Sequence, residues 1–537
     1  MKPITFYFDP AIPDPIRHAL KQGLLWWNTA FEAAGFRNAI VALDAPADMD
    51  PMDIRYPYVL WIDRDESGFS SGGSYRDPRT GEALGTKTHM DSHRIRTIGN
   101  FWDAYKGGLA SDGTAITIAD PSLLIPGALD QMPAGQRDMI LTRQALLTAH
   151  ELGHGLGFGH TFASSLNNQA SVMEYPSPRV KVTNGRLDLS EAFQKQIGAF
   201  DTHMVRYAYT PFAPYQEKAG LNAIIADMRG HGIIYVPSTD PRWTAYDDRA
   251  TPTEHLRETV AARKIMLASC GQNALKPGEP VGNLRDARLW MVYLHQRWAI
   301  DSGVKYIGGM FTNISVKGEA NPLPPTEFIP AGMQHETLDL LMNIVEPANL
   351  VLPESLLVQL TPDPDNTKED LSNDDMFDQV RAARILAAMV FEPLFDPARA
   401  ARLVALSARQ NGAVTLPEVF DAVMGRTWYA GHGSTTEERA VLRASQAAAL
   451  DSMMILGAAK DTAPEARAYA LDRLTSLAND LRAKRDGDPL TAAFYRQTAR
   501  DIERYMEEPA KWAPKTAVPE WGGSPRSRFT PTPGAPL

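Results

Sequence analysis

Eleven consecutive residues restrict this chain more than any other stretch: His150-Glu151-Leu152-Gly153-His154-Gly155-Leu156-Gly157-Phe158-Gly159-His160. Residues four apart on a helix share a face one turn apart, so His150 and His154 can present both imidazoles to one metal ion. Zinc takes neutral imidazole nitrogens, and its catalytic sites use three protein ligands with a position left for water. Glu151, beside the first ligand, is placed to take a proton from that water. His160 reaches the same ion only if the helix stops and the chain turns back. Gly157 stands where a residue free to adopt positive φ permits that turn.

A bare His-Glu-x-x-His also fits an amphipathic helix with surface histidines. Three histidines, a glutamate and a hinge glycine in fixed order are much harder to meet by chance. A second string follows, Ser171-Val172-Met173-Glu174-Tyr175. Together the two strings resemble the metzincin clan of zinc endopeptidases, with its extended zinc motif and a methionine-bearing turn beneath the metal. A tyrosine two places after the methionine is similar to the astacin and serralysin pattern. The resemblance implies that Met173 packs under the site and that Tyr175 swings in to stabilise the oxyanion. Core packing accounts for Met173 equally well, so it is structural on either reading.

At 537 residues the chain is long enough for two or more domains. A net charge of -10 without a long basic run argues against nucleic acid as a main partner. No apolar stretch approaches the roughly 18 residues of a membrane span. The single cysteine, Cys270, excludes an internal disulfide and a cysteine metal cluster, and it reads as a small buried hydrophobe. Met1-Lys2-Pro3 runs straight into a strand with no secretory signal, as in a cytoplasmic protein or a trimmed mature form.

In order, alternation at Ile4, Phe6 and Phe8 predicts a strand. Ile16, Leu20, Leu24, Trp27, Phe31 and Ala34 predict one amphipathic helix closed by Gly35. Further strands are expected at 39–43, at 54–62 (with Pro57 awkward in a sheet interior), at 83–88 on the sheet edge, and at 114–119. Residues 77–81 form a turn between extended pieces. The zinc helix starts near Gln136. Beyond about 210 the pattern becomes helical: 253–269, 285–300, 334–345, 376–390, 397–409, 416–424, 437–456, 464–485 and 489–506. Residues 304–314 read as extended. Ser434 with Glu437 and Thr462 with Glu465 look like capping boxes, and Asp488 caps a helix opened by Pro489. The fold class expected is α+β: a catalytic domain over 1–210 with a twisted mixed sheet of about five strands and the zinc helix. A mainly helical domain over 211–511 and a Pro/Gly-rich tail over 512–537 follow it.

More narrowly, the Trp-Asn-x-Ala-Phe-Glu-x-Ala-Gly-Phe-x-Asn-Ala run over 27–39 and the turn at 77–81, with the two site strings, resemble large bacterial zinc-dependent metalloproteases with a helical region after the catalytic domain. Gly198, Asp201, Tyr207 and Tyr209 fit that group's helix after the methionine turn. The resemblance covers about the first 210 residues well. It implies a periplasmic or secreted protein, whereas a cytoplasmic location stays open without a signal. Members of the group usually carry long upstream domains, which this chain lacks, so its native start and latency stay open.

The expected function is peptide-bond hydrolysis within a peptide or protein substrate. One Zn²⁺ sits on His150, His154 and His160, Glu151 acts as general base, and Tyr175 or a backbone donor holds the oxyanion. An extended substrate would pair with the edge strand, expected at Ala83, Leu84, Gly85, Thr86, Lys87 and Thr88. His89 and His93 read as solvated or capping residues. The acidic stretches 240–248 and 363–375 are candidates for structural Ca²⁺ but lack regular oxygen spacing and read as solvated surface. Two other readings stay in play: a zinc exopeptidase or amidase on small peptides, and a non-catalytic interaction protein with a relict zinc site, which intact Glu151 and Tyr175 argue against. The helical half either walls the cleft or serves as a partner-binding or dimerising module.

Overall fold

The computed structural model describes residues 2–64, 70–106, 129–318, 322–361, 377–431 and 433–518. Strand β1 (Ile4–Phe8) buries Phe6 and Phe8 as its alternation requires, and it pairs in parallel with β2 (Ile40–Asp44) and β3 (Tyr58–Ile62). The expected early helix breaks at Trp26 into α1 (Ile16–Leu25) and α2 (Trp27–Ala33), and Gly35, at φ +92°, ends the second. Asn28 on α2 fixes the start of β2: its Oδ1 accepts from Ile40 N at 2.9 Å and its Nδ2 donates to Ile40 O at 3.0 Å. That bond pair gives the Trp-Asn run a physical role. Strand β3 begins only after Pro57, which has no N–H to give a ladder but whose carbonyl accepts from Tyr7 N at 2.9 Å.

The sheet order is β2-β1-β3-β5-β4, which corrects one expectation. Strand β5 (Ala83–Asp91) carries Ala83, Leu84, Gly85, Thr86, Lys87 and Thr88, and it is internal, parallel to β3 on one side. The edge is β4 (Ser71–Arg76), antiparallel to β5, with a register shift between Tyr75 and Arg76. Sequence reasoning missed β4 because Ser71-Gly72-Gly73-Ser74 has neither apolar alternation nor β-branched residues. The turn at 77–81 links the two strands, with Gly81 at φ +76°. The strand expected at 114–119 lies outside the described residues.

After β5 comes α3 (His93–Lys106), absent from the sequence reading because charged residues interrupt its apolar line of Ile95, Ile98, Phe101 and Tyr105. The zinc-motif helix α4 (Ala134–Gly155) starts slightly before the expected point. Helices α1 and α4 lie against each other and against the sheet. They touch so closely at Gly23 that a Cβ there would stand 1.8 Å from the Ala145 carbonyl oxygen.

Two helices follow, α5 (Ala199–Tyr209) and the unforeseen α6 (Glu217–Gly230), then α7 (Pro252–Ser269), which the sequence places within a residue. The stretch expected as one helix at 285–300 is a π-helical segment (Leu284–Leu289), a single turn α8 (Trp290–Tyr293), and α9 (Arg297–Tyr306). Helix α9 runs into the stretch expected to be extended, which shortens to β6 (Met310–Thr312) after Gly308 at φ +63°. Strand β6 pairs with β7 (Thr326–Phe328).

The remainder is helical: α10 (Ala331–Ile344), short turns α11 (Pro347–Leu350) and α12 (Glu354–Leu357), α13 (Gln379–Leu394), α14 (Pro397–Ser407), α15 (Leu416–Arg426), α16 (Thr436–Ala458), α17 (Pro464–Ala483), α18 (Pro489–Glu507) and α19 (Pro509–Trp512). Among the predicted caps, Asp488 holds Thr491 N at 2.9 Å as expected. The capping pair at α16 shifts one residue, with Thr435 accepting from Glu438 N. Thr462 instead donates to Leu456 O, so the box at α17 does not form. Most of the tail lies outside the described residues.

The apolar core around the sheet and the core of the helical half interlock. Helix α7 gives Ala262 and Met266 to the first and Leu256 to the second, and α8 divides Met291 and Val292 from Trp290 and Tyr293 in the same way. The fold is α+β, a mixed five-stranded sheet followed by a helical region.

Replacing Gly23 by Ala forces the α1–α4 contact apart, because the obstacle is backbone. The expected cost, read by urea unfolding, is about 2–3 kcal/mol, with Gly35→Ala as a control for positive φ alone.

Candidate metal centre and cleft

Helix α4 places His150, Glu151 and His154 at its last two turns. It ends in a Schellman motif: Phe158 N donates to Gly153 O at 3.0 Å and Gly157 N to His154 O at 3.0 Å, with Gly157 at φ +103°. The chain then reverses and brings His160 back to the helix. The ligand atoms of His150, His154 and His160 lie within 4.8 Å of one another, and His154 Nε2 stands 3.2 Å from His160 Nε2. Two nitrogens held by one tetrahedral zinc, each ~2.0–2.1 Å away, are separated by about 3.3 Å.

Two of the rings are oriented from behind. His150 Nδ1 pairs with Val172 O at 2.7 Å and His154 Nδ1 with Phe158 O at 2.8 Å. Protonation at Nδ1 leaves the lone pair on Nε2. His150 Nε2 is buried without a hydrogen-bond partner, as is Glu151 Oε1. Buried polar atoms are rarely left so, and a cation at the centre of the triad would satisfy the imidazole. Burial pushes the His150 and His154 pKa values down, and burial together with the His154 ring takes His160 to about 4. All three are neutral ligands at physiological pH. The residues present fit a zinc ion.

The turn at Met173 lies directly beneath. Met173 is fully buried, and its Sδ would stand 2.1 Å from a Cβ at Gly153, so glycine there lets the methionine into the helix. Asp201, at the start of α5, clamps the turn: it accepts from Ser171 Oγ at 2.6 Å, Val172 N at 2.9 Å and Gly198 N at 2.7 Å. Trp27 Nε1 donates to Ala149 O at 2.9 Å and stacks on Phe158, and Tyr209 donates to Leu156 O at 2.9 Å. The motif residues at 27–39 and 198–209 thus brace the site.

Glu151 is 2 % exposed, and burial lifts its pKa to about 7 against the pull of Arg143, the Gly72 N–H and Arg94. A Cβ at Gly72 would lie 1.9 Å from Glu151 O, so β4 meets α4 backbone to backbone beside the general-base candidate. Tyr175 lies over the triad, its ring 4.5 Å from that of His160 and 5.5 Å from that of His150. Burial raises its phenol pKa, so the group remains an O–H donor.

Sequence reasoning missed the rest of the wall. Phe162, Trp243, Tyr246 and Trp298 continue the aromatic surface from Tyr175, with Tyr246 N donating to Tyr175 O at 2.9 Å. Three of these residues come from beyond 210. Tyr246 adopts φ +67°, unusual for a bulky residue, a constraint that no local motif announces. His89 and His93 stay away from the triad: His89 Nδ1 meets Ser71 Oγ at 3.2 Å, and His93 is buried at the head of α3, 3.2 Å from Thr97 Oγ1. In the 240–248 stretch, Asp240 pairs with Arg242 and Asp248 with Arg179, while Asp247 Oδ2 accepts from Ser165 Oγ at 2.8 Å and its Oδ1 is buried without a hydrogen-bond partner. The 363–375 stretch lies outside the described residues. Cys270 is half-buried, and burial pushes its thiol pKa to about 12.

A mixed sheet, a helix with this triad and a buried methionine turn define a metallopeptidase of the metzincin clan. A family model described as Met-zincin matches residues 134–434, more than half of the chain, and the chain belongs to that family. No curated protein and no solved structure matches it. Among the described residues no helix is long and apolar enough to cross a membrane.

In the metal-free protein, Glu151 has a folded pKa of about 7 against an ordinary 4.5. Its contribution to stability is therefore full below pH 4.5 and lost as pH rises through 7. The loss is at most about 3 kcal/mol. Urea unfolding of the chelator-treated protein should show this fall, and Glu151→Gln should flatten it.

Proposed function

We propose that this zinc metallopeptidase is an endopeptidase that takes an extended polypeptide along β4. The observation that carries the reading is the pairing of an orphaned triad nitrogen, His150 Nε2, with an orphaned carboxylate oxygen, Glu151 Oε1, beneath an edge strand. His150, His154 and His160 would hold the metal. When bound, zinc supplies Lewis acidity, which acidifies water and polarises a carbonyl. Glu151 takes the proton from the attacking water and delivers it to the leaving amine. The Tyr175 O–H donates to the oxyanion as charge builds on the former carbonyl oxygen.

Strand β4 supports the endopeptidase reading over trimming from one end. Its Gly72 N–H points to the Glu151 carboxylate. By the two-residue period of a strand, the backbone of Ser74 faces the same open side. A guest strand can pair there and continue in both directions. The aromatic wall of Phe162, Trp243 and Tyr246 suits apolar side chains on the guest.

Wild-type protein loaded with zinc should make internal cuts in an unfolded protein. Glu151→Ala should bind zinc and lose at least ~10³-fold in kcat. Products released stepwise from one terminus would move the assignment to an exopeptidase. No cutting by either form would leave the relict-site reading. Ser74→Pro removes an outward N–H from the edge, so kcat/KM for long peptides should fall by about tenfold, the cost of roughly one hydrogen bond, with zinc content unchanged.

A further inference from the structure

Helices α5 and α6 lie side by side on a thin seam. Of the 14 residues of α6 only Ile224 and Met228 are buried, and the apolar contact is confined to Ala170, Phe200, Met228 and Ile233 with Met204 and Ile225. So short a helix gains little from its own hydrogen bonds, and tertiary contacts must hold it. Beside the seam, His203 of α5, Asp227 of α6 and His231, which caps α6, bring ligand atoms within 4.8 Å of one another. His203 is 8 % exposed, so its ring is fixed in place.

Both imidazoles are oriented as those of the catalytic triad are. His203 Nδ1 pairs with Ala199 O at 2.8 Å and His231 Nδ1 with Asp227 O at 2.8 Å. Each ring therefore keeps its lone pair on Nε2. His203 Nε2 lies 3.3 Å from Asp227 Oδ2, and the two ring centres are 6.2 Å apart. Arg206 Nη1 donates to Asp227 Oδ2 at 2.7 Å, which orients the carboxylate and leaves Oδ1 on the side of His231.

We propose that His203, Asp227 and His231 form a second divalent-metal site, separate from the triad, which clips α6 onto α5. Two imidazoles and one carboxylate are a ligand set that zinc accepts, with water as the fourth ligand. His231 is 67 % exposed, so its ring can move to complete the site at the cost of its bond to Asp227 O. The nearby Arg206 charge makes the site weaker than the triad, so it fills second. His203 is two residues along α5 from Asp201, whose carboxylate clamps the methionine turn, so the clip steadies the helix that supports the catalytic floor.

The test is zinc stoichiometry of the full chain, stripped with a chelator and titrated by calorimetry, with metal analysis after gel filtration. Wild type should take two equivalents. His231→Gln, an exposed change, should take one, and His154→Gln should also take one. Limited proteolysis should cut the 210–232 region faster in His231→Gln than in zinc-loaded wild type. A wild type with one equivalent, lost in His154→Gln and kept in His231→Gln, overturns the clip and leaves the catalytic reading standing. Equal stoichiometry in wild type and His231→Gln also overturns it.

Discussion

The site rests on a hydrogen bond that never touches substrate, from His150 Nδ1 to the Val172 carbonyl. It fixes the ring that lies deepest and has nowhere else to turn. The carbonyl is only as steady as its turn, and the turn is held by Asp201, whose two oxygens take three donors from two segments. A buried carboxylate with full hydrogen bonding locks backbone in place, and here it joins a loop to a helix N-terminus. Met173 then fills the space under Gly153, so α4, the methionine turn and α5 are tied together by packing and hydrogen bonds. Preorganised ligands of this kind lower the reorganisation needed when an ion arrives.

How much of this the sequence disclosed follows from the range of each interaction. His150 to His160 is a local pattern, and its helix, hinge and converging rings were readable because each depends on residues within one or two turns. Strand β1, helix α7 and the α18 cap were readable for the same reason. Strand β4 was not, because a glycine- and serine-rich edge has no apolar face to print a period, and the edge was assigned instead to β5. Helix α3 was hidden by its two arginines, of which Arg94 is buried in this fold. The aromatic wall was out of reach, since Tyr246 and Trp298 meet Tyr175 only through folding over long sequence distances.

The separation into a catalytic part and a helical part is less clean in space than along the chain. Helices α7 and α8 each bury residues in both cores, and the family match itself runs from 134 to 434, across residue 210. The helical half is thus a structural neighbour of the cleft: it supplies Trp243, Tyr246 and Trp298. Aromatic residues that continue the surface beside the triad therefore come from the part of the chain that builds the other core.

An edge strand that can welcome a guest polypeptide can welcome any polypeptide, including a second copy's own edge. Strand β4 has the composition of a guarded border: small residues at Gly72 and Gly73 offer little apolar grip, Arg76 places a charge at its end, and the irregular register at Tyr75 and Arg76 twists the ribbon out of flatness. Such features discourage sheet-to-sheet growth while leaving backbone groups open to one extended visitor at a time. The features that hid this strand in the sequence are thus the same ones that disfavour growth of a sheet edge onto a second copy.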